Sequence, residues 1–277
     1  MTTWAEPVFQ MLKSRLRCPH SHFDGTCNPD SPSHWFKRFL DSDGVDVYRQ
    51  DYTIWDGALL PEVVAQLEAD YAGTVYYDRY IRGLWTQAEG MVYPRWREAL
   101  EPRWEGGADE WAVSCDYGTQ NAFAALLWAR AGGVWHVVKE YRYSGRDTGH
   151  QKTDADYVAD MAAFLGDLPR DTPFIIDPSA TSFHAAMRRA GLKVRKARNS
   201  VDDGIRETAA CMQSGAVRVA DDLPELAKEF AGYVWDAKAD GDRPVKENDH
   251  LMDALRYGVA TLRMYRQRAA YASPFGA

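Results

Sequence analysis

Three short segments of the chain each close on an aspartate, in settings that suit divalent-metal chemistry. Trp111-Ala-Val-Ser-Cys-Asp116 is an apolar strand pattern ending in a carboxylate, and Phe174-Ile-Ile-Asp177 is a second. The third is Glu247-Asn-Asp249-His250-Leu-Met-Asp253-Ala-Leu-Arg-Tyr257, at the head of a long C-terminal helical pattern. If the two strands are parallel neighbours, their ends lie about 5 Å apart, which suits two carboxylates sharing an ion. On the helix, Asp249 and Asp253 are four residues apart and His250 and Asp253 three, so both pairs share or overlap one face. Leu251, Leu255, Val259 and Leu262 form the packing stripe and leave the carboxylates at its margin. Oxygen donors gathered in this way hold paired Mg²⁺ or Mn²⁺ for phosphodiester hydrolysis, the ions roughly 3.5–4 Å apart and bridged by one carboxylate. Asp116 is the expected bridge, because a central strand places it between the other two ligands. One ion activates a water and the other stabilises the leaving 3′ oxygen, with no covalent nucleophile. His250 either binds metal or positions the water or leaving group.

Each acid also has an ordinary explanation. Asp177 precedes Pro178 and could cap the helix that follows, Asp116 could be a turn residue, and Asp249 suits the positive end of a helix dipole. Asp253 lies a turn further in, among apolar residues, and has no such explanation.

The bulk properties narrow the class. A chain of 277 residues with 45% hydrophobic content builds one large domain, or one domain and an appendage. Ten Trp and fifteen Tyr argue against disorder. No apolar run approaches the roughly 18 residues of a membrane span, and Met1-Thr-Thr-Trp-Ala-Glu-Pro lacks the pattern of a secretory signal. A soluble cytoplasmic protein is expected. Cysteines at 18, 27, 115 and 211 are too sparse for a disulfide framework. Cys18-Pro-His20-Ser-His22 with Cys27 fits no familiar zinc spacing. The net charge of −7 counts mildly against a nucleic-acid partner, although a carboxylate metal site is itself acidic until loaded. One segment runs the other way: Arg188, Arg189, Lys193, Arg195, Lys196 and Arg198, with no acid among them. It reads either as a solvated helix end and strand edge or as a rim that contacts phosphate.

The elements that must position these residues follow from the pattern. Residues 1–95 are broken by turns, with a helix from Ser33 (as N-cap) to Leu40, a strand over Val45–Tyr52, a helix over Leu60–Tyr71 and another over Val75–Leu84. Residues 96–109, with Pro102 and Gly106-Gly107, read as a boundary. Residues 110–267 open with strands Val113–Tyr117, Phe123–Ala129 and Val134–Tyr143, the last two joined by a tight turn at Ala131-Gly132-Gly133. Helix and strand patterns then alternate: a helix capped at Thr153-Asp-Ala-Asp156, strand Phe174–Asp177, helix Thr181–Ala190, strand Lys193–Lys196, helix Asp203–Ser214, strand Val217–Val219, helix Glu225–Gly232 and the helix from Asn248. Residues 268–277 are a tail. The expected fold is α/β. A three-strand antiparallel meander followed by parallel strands gives a mixed, ribonuclease H-like sheet with helices on both faces, preceded by a small α/β element.

Four segments, in order, carry a family resemblance: Asp116-Tyr-Gly-Thr-Gln-Asn121, Tyr143-Ser-Gly-Arg-Asp-Thr-Gly-His-Gln-Lys-Thr153, Asp177-Pro-Ser-Ala180 and Val245-Lys-Glu-Asn-Asp-His-Leu-Met-Asp-Ala-Leu-Arg-Tyr257. Together they resemble the nuclease domain of tailed-bacteriophage terminase large subunits. Gly25-Thr-Cys-Asn28-Pro29 through Trp35 resembles the last part of that family's packaging ATPase core. Tyr76-Tyr-Asp-Arg79 through Trp85 resembles the stretch that joins the two domains. The resemblance implies an endonuclease that cuts concatemeric double-stranded viral DNA in the host cytoplasm, using two divalent ions. It implies portal protein and small terminase subunit as partners, and metal ligands at Asp116, Asp177 and Asp253, with His250 and Asp249 as accessory candidates. No Gly-x-x-x-x-Gly-Lys-Ser/Thr loop occurs in these residues, so ATP hydrolysis or DNA translocation is not expected from this chain alone. A fragment, a split gene product and one part of a two-chain motor with a separate ATPase all stay open. Two alternatives to a terminase-type nuclease stand beside it: a resolvase or transposase of the same fold, and a module that grips DNA or docks on the portal without cutting. Cleavage insensitive to sequence is expected, because no helix looks built to read bases.

Overall fold

A computed structural model describes residues 1–57, 59–118, 121–239 and 241–262. The predicted tail at 268–277 lies outside the described residues, as do 263–267 of the predicted nuclease domain and Thr119 and Gln120 of the Asp116 motif. The chain divides into two units, Met1–Gly90 with Val234–Val245, and Met91–Tyr233 with the segment that begins at Lys246.

In the first unit, α1 (Glu6–Lys13), α2 (Trp35–Leu40) and α3 (Pro61–Tyr71) are short helices. Phe9 of α1 gathers Trp35, Phe36 and Phe39 around it, with ring centroids 4.9 to 6.0 Å away. Pro61 takes the first turn of α3, where its missing N–H costs nothing. The cap of α2 is His34 and not Ser33: His34 Nδ1 accepts from the Phe36 N–H at 3.1 Å. The helix expected over Val75–Leu84 contracts to a turn that is π-helical at Tyr77–Ile81. The strand expected over Val45–Tyr52 does not form. No strand among the described residues pairs with it, and Tyr48 and Tyr52 are 86% and 67% exposed. Arg79 is buried, pairing with Asp30 at 3.1 Å and with Asp242 and donating to the Thr86 carbonyl.

The second unit is built on a sheet. A 3₁₀ turn, Trp96–Ala99, leads into β1 (Leu100–Glu101). β2 (Glu110–Asp116), β3 (Phe123–Ala131) and β4 (Val134–Tyr143) form the meander, with Gly132 and Gly133 supplying the positive φ that the tight turn needs. After a short α4 (Gly145–Thr148), α5 (Asp154–Leu165) opens with a reciprocal capping box between Thr153 and Asp156. Then come β5 (Phe174–Ile176), α6 (Thr181–Arg189), β6 (Val194–Lys196) and α7 (Val201–Gln213). β7 (Val217–Ala220), α8 (Pro224–Gly232) and α9 (His250–Leu262) complete the described part.

The strand order is β1-β7-β4-β3-β2-β5-β6. β3 runs antiparallel to β2 and β4, while the pairs β2–β5, β5–β6, β4–β7 and β1–β7 are parallel. This is the expected mixed, ribonuclease H-like sheet with helices on both faces. On one face Val113, Cys115, Phe123 and Ile176 pack with Tyr157 and Met161 of α5 and Phe183 and Met187 of α6. On the other, α9 crosses β2 and β3 beside α7. Trp128 of β3 is fully buried there, its indole N–H donating to Ser114 Oγ at 2.8 Å. Gly258 of α9 lies directly on that ring, which a Cβ at this position would approach to 2.5 Å.

Candidate active site

Alternation along β2 sends Val113 and Cys115 into the core shared with α5 and α6 and turns Ser114 and Asp116 towards α9. Cys115 is in parallel register with Ile176. Asp116 and Asp177 therefore continue neighbouring strands at the same end of the sheet. α9 begins over that end. His250 Nδ1 lies 2.9 Å from Asp116 Oδ2, and Tyr257, two turns along, donates its hydroxyl to Asp177 Oδ2 at 3.0 Å.

The four carboxylates stand in different surroundings. Asp116 has its carboxyl pushed up by burial, opposed by the His250 hydrogen bond and reinforced by the charges of Asp253 and Asp249. His250 is pushed up in turn by the Asp116 hydrogen bond, which outweighs its own burial. Burial also acts on Asp177, but donors from Ser179, Asn199 and Tyr257 outweigh it and hold this carboxyl below its usual range. Asp253 receives Arg256 Nη2 on Oδ1 at 2.8 Å and faces Lys246 Nζ at 3.5 Å. Asp249 directly precedes α9, lends its carbonyl to the Asp253 N–H and receives Lys246 Nζ at 3.0 Å. The Tyr257 phenol, bonded to Asp177, is raised by burial and by the charges of Asp116, Asp253 and Asp177.

Among the described residues no three His, Cys, Asp or Glu side chains close on one point as a ready metal cage. The acids converge, but their oxygens are engaged by Lys246, Arg256, His250, Asn199 and Tyr257. The donor chemistry still fits hard divalent cations, which take carboxylate oxygens. Asp116 offers the clearest position: His250 holds Oδ2, and Oδ1 has no hydrogen bond among the described residues.

The basic segment does not gather into one patch. Arg188 and Arg189 end α6 and Lys193 precedes β6, so they lie at the opposite end of β6 from Lys196 and Arg198. Arg195 donates to the Thr261 carbonyl at 2.8 Å and the Arg198 N–H to Thr261 Oγ1 at 2.9 Å, tying β6 to the last turn of α9. All six side chains belong to exposed residues.

Several participants carry no sequence signal of their own. Glu229 of α8 is buried and accepts from the N–H groups of Leu251 and Met252 at 2.7 and 3.2 Å, satisfying the open end of α9. Arg256 is 2% exposed and donates to the carbonyls of Asn199 and Ser200 at 2.8 and 2.9 Å. Gly204 makes room for it, since a Cβ there would stand 2.3 Å from Arg256 Cγ. Lys246 was legible only as a lysine three residues before Asp249.

Residues 111–262 match the family described as the terminase RNase H-like domain. Among solved structures, the large terminase of the thermophilic bacteriophage D6E superposes with a TM-score of 0.90 at 39% identity, covering 95% of this chain and 67% of that one. The same protein in complex with ATP-γ-S gives 0.87 at 38%, covering 92% and 66%. This chain thus spans about two thirds of the D6E protein. The nuclease domain of the P22 large terminase gives 0.52 at 19%, covering 64% of this chain and 95% of that one, a likeness of fold. No curated protein matches significantly. With the family match over more than half its length and a 39%-identical large terminase aligned along nearly all of it, the chain belongs to the bacteriophage large-terminase family.

Proposed function

We propose that this chain is the metal-dependent endonuclease of a phage terminase large subunit, cutting concatemeric double-stranded DNA during genome packaging. The observation that carries the reading is that Asp116 and Asp177 end neighbouring parallel strands under the first turns of α9, the helix that brings His250 to Asp116, brings Tyr257 to Asp177 and carries Asp253. The three aspartates would hold two Mg²⁺ or Mn²⁺ ions, with His250 and Asp249 as accessory groups. Such ions make a nucleophile of bound water and stabilise the leaving oxygen. The chain's own residues do the rest. His250 orients Asp116, Tyr257 and Asn199 orient Asp177, and Arg256 fixes one oxygen of Asp253 while leaving the other turned outward.

Double-stranded DNA is the proposed substrate, with Lys196, at the Asp177 end of β6, as a phosphate contact on this side. Portal protein, small terminase subunit and an ATPase are the proposed partners, and the host cytoplasm the proposed place of action. Residues 1–95 are proposed to continue a packaging ATPase domain, since the D6E likeness runs through them. No phosphate loop occurs in this sequence, so cutting is the activity assigned to it. No helix among the described residues is long and apolar enough to cross a membrane.

Nicking and linearisation of supercoiled plasmid by the purified chain in Mn²⁺, Mg²⁺ or EDTA tests the proposal, beside Asp116→Ala and Asp253→Ala. Metal-dependent cutting that disappears in both variants is expected. Cutting that survives both places the active site elsewhere. A folded wild-type chain that cuts in no metal favours the docking reading, or a nuclease dependent on its partners.

A further inference from the structure

Lys246 holds an unusual position at this site. Its ammonium is 3.0 Å from Asp249 Oδ2 and 3.5 Å from Asp253 Oδ2, two carboxylates whose side chains are only 9% and 13% exposed. The lysine side chain itself is 61% exposed. A cation therefore reaches in from the surface and rests on the outward oxygens of two nearly buried acids.

The other cation on Asp253 is fixed. Arg256 is pinned by two backbone carbonyls of the loop before α7 and fits against Gly204, so it cannot leave without unpacking α7 from α9. Lys246 has no such anchor: beyond the two carboxylates it has no hydrogen bond or ion pair among the described residues. One positive charge at this point is thus built in and the other is removable.

We infer that Lys246 is a displaceable counter-charge, which neutralises Asp249 and Asp253 in the metal-free protein and must withdraw for a divalent ion to reach Asp253. This rests on the proposed metal site. The ammonium covers Asp253 Oδ2, the oxygen that Arg256 leaves turned outward, so ion and lysine compete for the same atom. The lysine keeps two buried like charges from facing each other unpaired, and metal affinity is lowered by the strength of that pairing. Withdrawn onto its exposed stem, the ammonium lies beside the loaded site, where DNA phosphate is the natural anion for it.

The test is Mn²⁺ binding by the full chain without DNA, read from the EPR signal of free Mn²⁺, for wild type, Lys246→Ala, Lys246→Gln and Asp116→Asn. Removing the competing ammonium is expected to tighten binding by about two- to tenfold in both lysine variants. Unchanged or weaker binding in the folded lysine variants overturns the inference. The control separates the two readings. If wild type binds no Mn²⁺, or Asp116→Asn binds as well as wild type, the metal site itself is misplaced and the inference falls with it. If Asp116→Asn loses binding and the lysine variants match wild type, only the role of Lys246 is wrong. Circular dichroism confirms folding, and Lys246→Gln keeps the test open should the alanine variant not fold.

Discussion

His250 joins the first residue of α9 to the last residue of β2, its Nδ1 2.9 Å from Oδ2 of Asp116. The pair is mostly shielded, at 18% and 16% side-chain exposure. Its hydrogen bond holds the imidazole proton above the ordinary value of 6.5. Stability from such a contact is fully present below about pH 6.5 and fades as pH rises through the elevated folded value. Burial opposes ionisation of Asp116, but the His250 hydrogen bond and charge favour its carboxylate, so the contact contributes as an imidazolium–carboxylate pair while His250 keeps its proton. His250→Gln is therefore expected to cost about 1–3 kcal/mol at pH 6 and clearly less at pH 9. Urea denaturation in EDTA at the two pH values measures this, and a difference that does not change with pH removes the ion pair from the account.

Glu229 makes a second pH-dependent contribution, from outside the helix it serves. Burial pushes its carboxyl up to about 7, against the N–H groups of Leu251 and Met252. Its Oε1 is buried with no hydrogen bond, 3.6 Å from Arg142 Nε. An acid raised in the folded state stabilises fully below its unfolded value near 4.5 and loses that contribution as pH climbs through 7. Glu229→Gln cannot ionise, so its stability relative to wild type should rise by roughly 2–3 kcal/mol between pH 4.5 and 8. Glu229→Ala should be less stable than Glu229→Gln by about 1–3 kcal/mol, because the start of α9 then lacks its acceptor. Parallel denaturation curves for wild type and Glu229→Gln across this range would show that burial does not control this acid.

These two contacts mark how far the site could be read from residue order. Asp116, Asp177 and Asp253 were legible because each ends a short apolar strand or interrupts a helical stripe, patterns that survive without coordinates. Glu229 was not, because it acts on α9 from α8 and its spacing to Leu251 repeats nothing. Tyr257 meets Asp177 only through the crossing of α9 over β5, and Asn199 only through the loop that follows β6. The meander and alternating elements were legible because their side chains face a core; the expected strand at 45–52 failed because no neighbouring strand among the described residues pairs with it. The basic run from 188 to 198 left two readings open, a solvated helix end and strand edge or a phosphate-contacting rim. A helix end, a turn and a strand separate its members in space, and Arg195 and Arg198 turn to the end of α9 instead.

Tyr257 tunes the second strand-end acid. Its hydroxyl is one of the donors that hold Asp177 below the usual carboxylate range despite burial. A depressed acid is favourable above its unfolded value near 3.8 and is lost as pH falls through the folded one. Tyr257→Phe should raise the pKa of Asp177, so the acid limb of the plasmid-nicking profile moves to higher pH. At pH 8 the rate should fall by about 10-fold, the scale of a lost positioning contact around metal ligands. A profile that drops evenly at every pH would assign Tyr257 to packing alone.

Packing beneath α9 should matter as much as the acids it carries. A Cβ at Gly258 would stand 2.5, 2.6 and 2.8 Å from Cζ2, Cε2 and Nε1 of Trp128. The indole cannot retreat, being fully buried and bonded to Ser114 Oγ. Gly258→Ala must then lift α9 from the sheet, at a cost of about 1–3 kcal/mol. The same lift draws His250 and Asp253 away from Asp116 at the strand end, and a displacement on the order of 1 Å can slow a reaction by about 10²-fold. Lowered stability and sharply lowered plasmid cutting are expected together. Trp128→Leu should restore much of both when combined with Gly258→Ala, because it reopens the space that the methyl needs. A double-mutant cycle reads this coupling directly. Additive losses in the double variant would mean that the glycine serves the helix itself, and wild-type behaviour in Gly258→Ala would mean that α9 does not rest on Trp128 as described.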